Sequence, residues 1–194
     1  MARTAGGERA AWEELLTPYQ DRLMGVCVRM VGREAAPDLV QTAMVKIIQG
    51  LASYDGQSKL STWMIRVTMN ACLSWLRSEK LRRHARLDSP APGRTASENA
   101  TETHGSVLTS REPQAADRVE LQEARQHLGA ALALLEPEQR AILILRDAQG
   151  MDYDRIALVL GVPLGTVKSR LFRARAALRA LIESRTERAS DRDL

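Results

Sequence analysis

The residues best placed for chemistry lie near the end of the chain, where Lys168, Arg170, Arg173, Arg175 and Arg179 recur with no acid before Glu183. Such a run concentrates positive field where phosphates can be held, and its arginines carry the forked donors that read guanine edges. Thr166 and the start of the same segment offer hydroxyl and backbone donors to a phosphate; Lys168, Ser169, Phe172 and the two arginines 170 and 173 form the reading face. A second basic run, Arg77, Lys80, Arg82, Arg83, His84 and Arg86, closes the first half of the chain. Other chemistry is poorly supported. His84, His104 and His127 are scattered, with no second His or Cys at metal-ligand spacing. There is no glycine-rich phosphate loop and no nucleophile elbow. Asp152 and Asp154 suit helix capping better than cation binding. The expectation is a nucleic-acid binder without catalysis, metal or cofactor.

Helices must position these side chains. Apolar residues are 44% of the chain and aromatics only 4%, so a core of Leu, Ala, Val, Ile and Met is expected in an all-α fold. The net charge is only +4 although the pI is about 9.4, so the local clustering of arginine matters more than the total. Cys27 and Cys72 lie far apart in apolar stretches, form no CxxC pair and read as reduced core thiols. No apolar run approaches the roughly 20 residues of a membrane span, and the N-terminus lacks a signal-peptide core, so a cytoplasmic protein without membrane insertion is expected.

Two apolar-periodic blocks flank a polar stretch, 88–116, rich in Ser, Thr, Pro and Gly, which reads as a flexible linker between two small helical domains, 8–87 and 117–185. In the first, Leu39, Val40, Ala43, Met44, Ile47, Ile48 and Leu51 make a broad apolar face, with Asp38 behind Pro37 at the helix start. Gly50 and the segment 53–58 interrupt it, and Ser61-Thr62-Trp63 leads into the next helix. Trp12, Tyr19 and Trp75 read as core or interdomain residues. In the second, Leu121, Ala124, Leu128, Ala131, Leu132 and Leu135 mark one helix. Pro137 opens another with Ala141, Ile142, Leu145 and Ala148 inward and Gly150 as its stop. Asp152 as N-cap, Gly161 at a left-handed turn, Val162 at the corner and Pro163 before a second helix make a helix-turn-helix whose second helix is the basic one.

The segment Gly165-Thr166-Val167-Lys168-Ser169-Arg170-Leu171-Phe172-Arg173-Ala174-Arg175 resembles the recognition helix of bacterial sigma-70-family factors, in particular the extracytoplasmic-function (ECF) group. Pro137-Glu138-Gln139-Arg140-Ala141-Ile142-Leu143 and Gly150-Met151-Asp152-Tyr153 are similar to the earlier half of that group's region 4. Asp38-Leu39-Val40-Gln41 is similar to region 2.2, and Ser61-Thr62-Trp63 with Asn70 to region 2.3. The resemblance implies a promoter-specificity subunit of RNA polymerase. It puts core-polymerase binding on Asp38, Leu39 and Gln41. Capture of the −10 element falls to Tyr54, Gln57, Ser58, Lys59, Ser61 and Trp63, backed by Arg77, Lys80, Arg82 and Arg83, and −35 reading to the basic helix. It further implies core RNA polymerase, promoter DNA and an anti-sigma protein as partners. Thr42, Met44, Ile48, Ser74 and Arg155 depart from the family's usual residues. A stand-alone helix-turn-helix regulator is the alternative.

Overall fold

Left-handed glycines and helix-starting prolines divide the chain. The computed structural model describes residues 5–87 and 115–190, with side chains described for 12–85, 121–122 and 124–185. These residues form seven α-helices and no strand. α1 (Ala5–Val31) ends where Gly32 takes a φ of 88°, a turn that other residues adopt only with strain. α2 (Ala36–Gly50) carries Pro37 in its first turn, where a missing N–H costs nothing, and Asp38 beside the positive helix end. A single 3-10 turn, Leu51–Ser53, leads out of α2, and α3 (Leu60–Leu87) follows. These three helices pack mutually through Leu23, Val26, Cys27 and Met30 of α1, Leu39, Val40, Ala43 and Ile47 of α2, and Met64, Ile65, Met69 and Cys72 of α3. Burial of each large aliphatic chain is worth about 1.5–3 kcal/mol, which is what holds a bundle with so few aromatics.

Cys27 and Cys72 meet at the α1–α3 contact, 3.7 Å apart and fully buried, as free thiols. The hydrogen bond from Cys72 to Cys27, with burial, pushes the Cys72 thiol far above its ordinary range, so it stays protonated. Core thiols are thus what the structure contains; their adjacency has no trace in the sequence.

The second block begins with α4 (Ala115–Leu134), then α5 (Pro137–Leu143), a π-turn (Ile144–Ala148), α6 (Tyr153–Leu160) and α7 (Leu164–Ser190). The expected inward face of α4 is only half realised. Ala131 and Leu135 are buried, but Leu121 and Leu128 stay more than 40% exposed, because the packing partners of α4 engage its C-terminal end. Ala148, expected inward, is exposed for a different reason: the wider π-turn replaces the last turn of α5 and rotates that position away from the core. The expected linker lies outside the described residues apart from Ala115 and Ala116, which belong to α4.

Arg140 ties the block together from within. Its guanidinium is buried and donates to the carbonyls of Leu132 at 2.7 Å, Leu135 at 3.2 Å and Ala133, closing the C-terminus of α4. Those are the carbonyls a helix end leaves without partners, and the negative end of the helix dipole favours a cation there. Burial lowers the pKa of Arg140, a desolvation cost that these acceptors offset.

The same guanidinium reaches the other half of the chain by donating to the carbonyl of Met30 in the last turn of α1. The two blocks share one continuous apolar cluster, with α6 against α3 and α4 and α5 against α1. Arg22 of α1 also donates to Gln149 at 2.6 Å. Arg140→Met, which keeps the stem and removes the donors, should cost about 3 kcal/mol in chemical denaturation, since it strands several carbonyls at once. Gly161→Ala, at a φ of 65°, should cost about 1 kcal/mol in the same assay.

Candidate nucleic-acid interface

α6 and α7 are set by their joint. The Asp152 carboxylate accepts the Arg155 backbone N–H at 2.8 Å, which caps α6 as its position and residue type suggest. Gly161 is left-handed, and the Val162 N–H returns to the Ala157 carbonyl at 3.1 Å, closing the end of α6 with the reverse turn that glycine permits. Thr166 and Val167 then donate back to Pro163 to open α7. Ile156 and Val159 of α6 are buried with Val167, Leu171 and Ala174 of α7. That inward stripe forces the intervening residues out. Lys168, Ser169, Phe172 and Arg173 are exposed, and Thr166 and Arg170 partly so.

Phe172, 76% exposed, stands on this basic face. A ring so placed offers van der Waals contact to a thymine methyl or a sugar. Arg170 and Arg173 line a cleft of about 260 Å³ with Glu136, Glu138 and Gln139 from the start of α5. Arg175 differs from its neighbours: it pairs with Asp147 of the π-turn at 2.7 Å, so its charge is spent within the protein. Arg146, on the same turn, stacks 4.9 Å over Tyr153 and donates to the Met151 carbonyl at 2.7 Å, which steadies the approach to α6.

The loop before α3 is built around two aromatics. Tyr54 and Trp63 lie 5.5 Å apart, tilted at 49°, and the Tyr54 hydroxyl donates to the Ser58 carbonyl. Asp55 accepts the Gln57 N–H, Gly56 is left-handed with a φ of 72°, and the Lys59 carbonyl accepts from Thr62 and Trp63 to start α3. Gly50 has its own reason to be glycine. A Cβ there would lie 3.1 Å from the Trp63 ring, so the indole packs on bare backbone. Gln57 and Lys59 are exposed; Tyr54, Ser58, Ser61 and Trp63 are half-buried around this stack. Arg77, Lys80, Arg82 and Arg83 continue from it along exposed turns of α3, with Arg82 paired to Glu79 at 3.1 Å. Ser74 accepts from Arg77 at 3.3 Å.

On α2, Asp38 and Gln41 are exposed, but Leu39 is only 6% exposed and belongs to the core. Leu39 therefore anchors this surface from the apolar face that its helical spacing predicts. Thr42 turns its hydroxyl back to the Asp38 carbonyl at 2.9 Å. Arg140 and Asp147, which orient the interface from behind, escaped sequence reasoning: a buried arginine and a cross-helix ion pair leave no periodic signal. Among the described residues no group of His, Cys, Asp and Glu could hold a metal ion, and no helix is long and apolar enough to cross a membrane.

Two helical blocks, the second holding a helix-turn-helix with a basic second helix, are the architecture of a known family. Residues 15–82 match the Sigma-70 region 2 model and residues 120–178 the Sigma-70 region 4 model. The chain belongs to the sigma-70 family, in its ECF group. It is 31% identical to the ECF RNA polymerase sigma-E factor of Escherichia coli over 178 residues, covering 92% of this chain and 90% of that one. It is 30% identical to the RNA polymerase sigma-H factor of Pseudomonas aeruginosa, with 92% and 89% covered. Among solved structures, the fold matches sigma factor RpoE in complex with the anti-sigma factor NepR from Bartonella quintana, with a TM-score of 0.65 at 24% identity, covering 89% of this chain and 97% of that one. It also matches CnrH in complex with the cytosolic domain of CnrY, with a TM-score of 0.57 at 23% identity and 93% and 92% covered.

The exposed run on α3 makes a quantitative expectation. Replacing Lys80, Arg82 and Arg83 by Ala should flatten the dependence of log affinity on log salt for a single-stranded probe by up to about 2, at roughly 0.7 per phosphate contact. Fluorescence anisotropy across a salt series measures it, and the pairing of Arg82 with Glu79 should make that residue the smallest contributor.

Proposed function

We propose that this chain is the promoter-specificity subunit that joins core RNA polymerase and directs initiation by reading −35 and −10 elements. The observation that carries the proposal is the pairing, in one chain and in family order, of a region 2 block with a capped helix-turn-helix whose outward face is basic. A stand-alone regulator has no use for the aromatic loop and basic run of the first block.

In this reading α7 enters the major groove, with Lys168, Ser169, Arg170 and Arg173 on base edges, Thr166 on the backbone, and Phe172 against an apolar edge. The Tyr54–Trp63 loop receives an unstacked −10 base, with Gln57, Ser58, Lys59 and Ser61 as its polar rim. The run Arg77, Lys80, Arg82 and Arg83 holds the phosphates of the opened strand. Asp38 and Gln41 face the core enzyme from a helix that Leu39 anchors. The two domains are taken as 8–87 and 117–185. Each binds weakly alone, and attachment to one polymerase makes the second contact effectively intramolecular. The chain supplies recognition, with no catalysis of its own and no cofactor, and acts in the cytoplasm. That sigma factor RpoE of Bartonella quintana forms a complex with the anti-sigma factor NepR supports control by an anti-sigma protein here.

Run-off transcription with purified core polymerase and a genomic library should give start sites preceded by a shared pair of elements. Start sites without such a pair, or promoter binding equally tight without core enzyme, would favour the stand-alone regulator. Arg170→Ala or Arg173→Ala should lose roughly 1–3 kcal/mol of −35 discrimination, read as the ratio of transcripts from matched and altered promoters. Asp38→Ala with Gln41→Ala should weaken core binding while leaving the full chain's affinity for duplex DNA unchanged.

A further inference from the structure

We infer that Cys27 and Cys72 are a disulfide-forming pair, reduced at rest and joined by a hydroperoxide into a bond that fastens α1 to α3. They are the only two cysteines of the chain and stand 45 positions apart, yet their sulfurs lie 3.7 Å from each other. A disulfide needs about 2.05 Å between sulfurs, so the pair must close by roughly 1.6 Å, which rotation about the two Cα–Cβ bonds supplies. Both side chains are fully buried and free. The titratable group that acts on Cys72 is Cys27, with no cation or carboxylate competing for it. Among the described residues no group of three or more His, Cys, Asp and Glu could hold a metal ion, so the pair is left with thiol chemistry.

Cys72 donates to Cys27 and keeps its proton, so Cys27 is the sulfur oxidised first. It takes one oxygen from hydrogen peroxide; the O–O bond breaks, water leaves and a sulfenic acid remains. The Cys72 thiol then attacks that sulfur. The S–S bond forms, the S–O bond breaks, and the hydroxyl departs with the Cys72 proton as a second water. Two electrons and two protons pass from the thiols to the peroxide. A second thiol already in contact stops the oxidation at the disulfide, before sulfinic acid. Burial sets which oxidants can act. The sulfurs lie within the apolar cluster that includes Met30 and Met69, where a molecule near the size of water enters on a local opening of the helix contact and a bulky reagent does not. The bond would close residues 28–71 into a loop that carries α2 and the aromatic Tyr54–Trp63 stack. Such a closure restricts the unfolded chain and opposes separation of α1 from α3, so its effect falls on the first block, with α4 to α7 outside the loop.

The full chain in native buffer, treated with hydrogen peroxide and then denatured with N-ethylmaleimide present, tests this by intact mass. It should lose the mass of two hydrogen atoms and take up no maleimide, whereas the untreated chain takes up two. Peptide mapping should place the link between Cys27 and Cys72, a non-reducing gel should show a monomer, and dithiothreitol should restore both thiols. Amide hydrogen exchange in α1 and α3 of the oxidised chain should slow by roughly tenfold or more, with α7 unchanged. Cys72→Ala, which removes the second thiol, should accumulate a dimedone-reactive sulfenic acid at Cys27, and Cys27→Ala should accumulate none at Cys72. The decisive reading is made on the wild-type chain, so it holds whether or not either variant folds. Two free thiols after peroxide, sulfinic acid at either cysteine, cross-linked dimers, or a bond that leaves exchange in α1 and α3 unchanged would each overturn the inference.

Discussion

Four carbonyl oxygens converge on the guanidinium of Arg140, and they come from both halves of the chain. Much of the remaining architecture follows from that convergence. A buried cation survives only where its donors are met, so α4 must end where Leu132, Ala133 and Leu135 expose carbonyls, and α5 must begin close enough to present the arginine. The turn between them, with Pro137 in the first helical position, is short and tightly held. From this joint α5 runs into the π-turn, and the π-turn leads to the capped start of α6. A cation at the α4 terminus thus sets the frame in which the basic helix is held, although Arg140 itself is remote in role from nucleic acid.

The basic helix shows how packing sorts residues of one type into different tasks. Val167, Leu171 and Ala174 face inward, which leaves Lys168, Phe172 and Arg173 on the outward surface. Arg175 points where Asp147 can neutralise it, whereas Arg170 and Arg173 open onto a cleft with acids on its far wall. Those acids reduce the pull of the cleft on phosphate in general, which suits a reader meant to bind tightly only when positioned by a larger assembly. In the first half, an indole packed on the bare backbone of Gly50 fixes a loop whose polar rim stays open.

Much of this was legible from residue order. The helix-turn-helix could be read because its signals are local: a capping aspartate, a left-handed glycine and a proline act within a few residues, and tertiary context rarely overrides them. The apolar face of α2 was legible for a similar reason, helical periodicity. Two misreadings have different causes. Ala148 was counted inward before a π-turn moved it, and Leu121 and Leu128 continue an apolar stripe beyond what covers it. Periodicity tells which residues share a face; it does not tell how far along a helix its partner extends.

The sequence by itself therefore determined the helices, their caps and the basic face of α7, because these depend on neighbours within a turn or two. Only the tertiary structure decided that Cys27 meets Cys72, that Arg140 closes α4 while reaching α1, that Arg175 is held by Asp147, and that the halves pack as one body. Each joins residues at least 28 positions apart, with the exception of the closure of α4 by Arg140. Such contacts form only when whole elements dock, and docking follows the summed shape and burial of many side chains, which no short window of residues encodes.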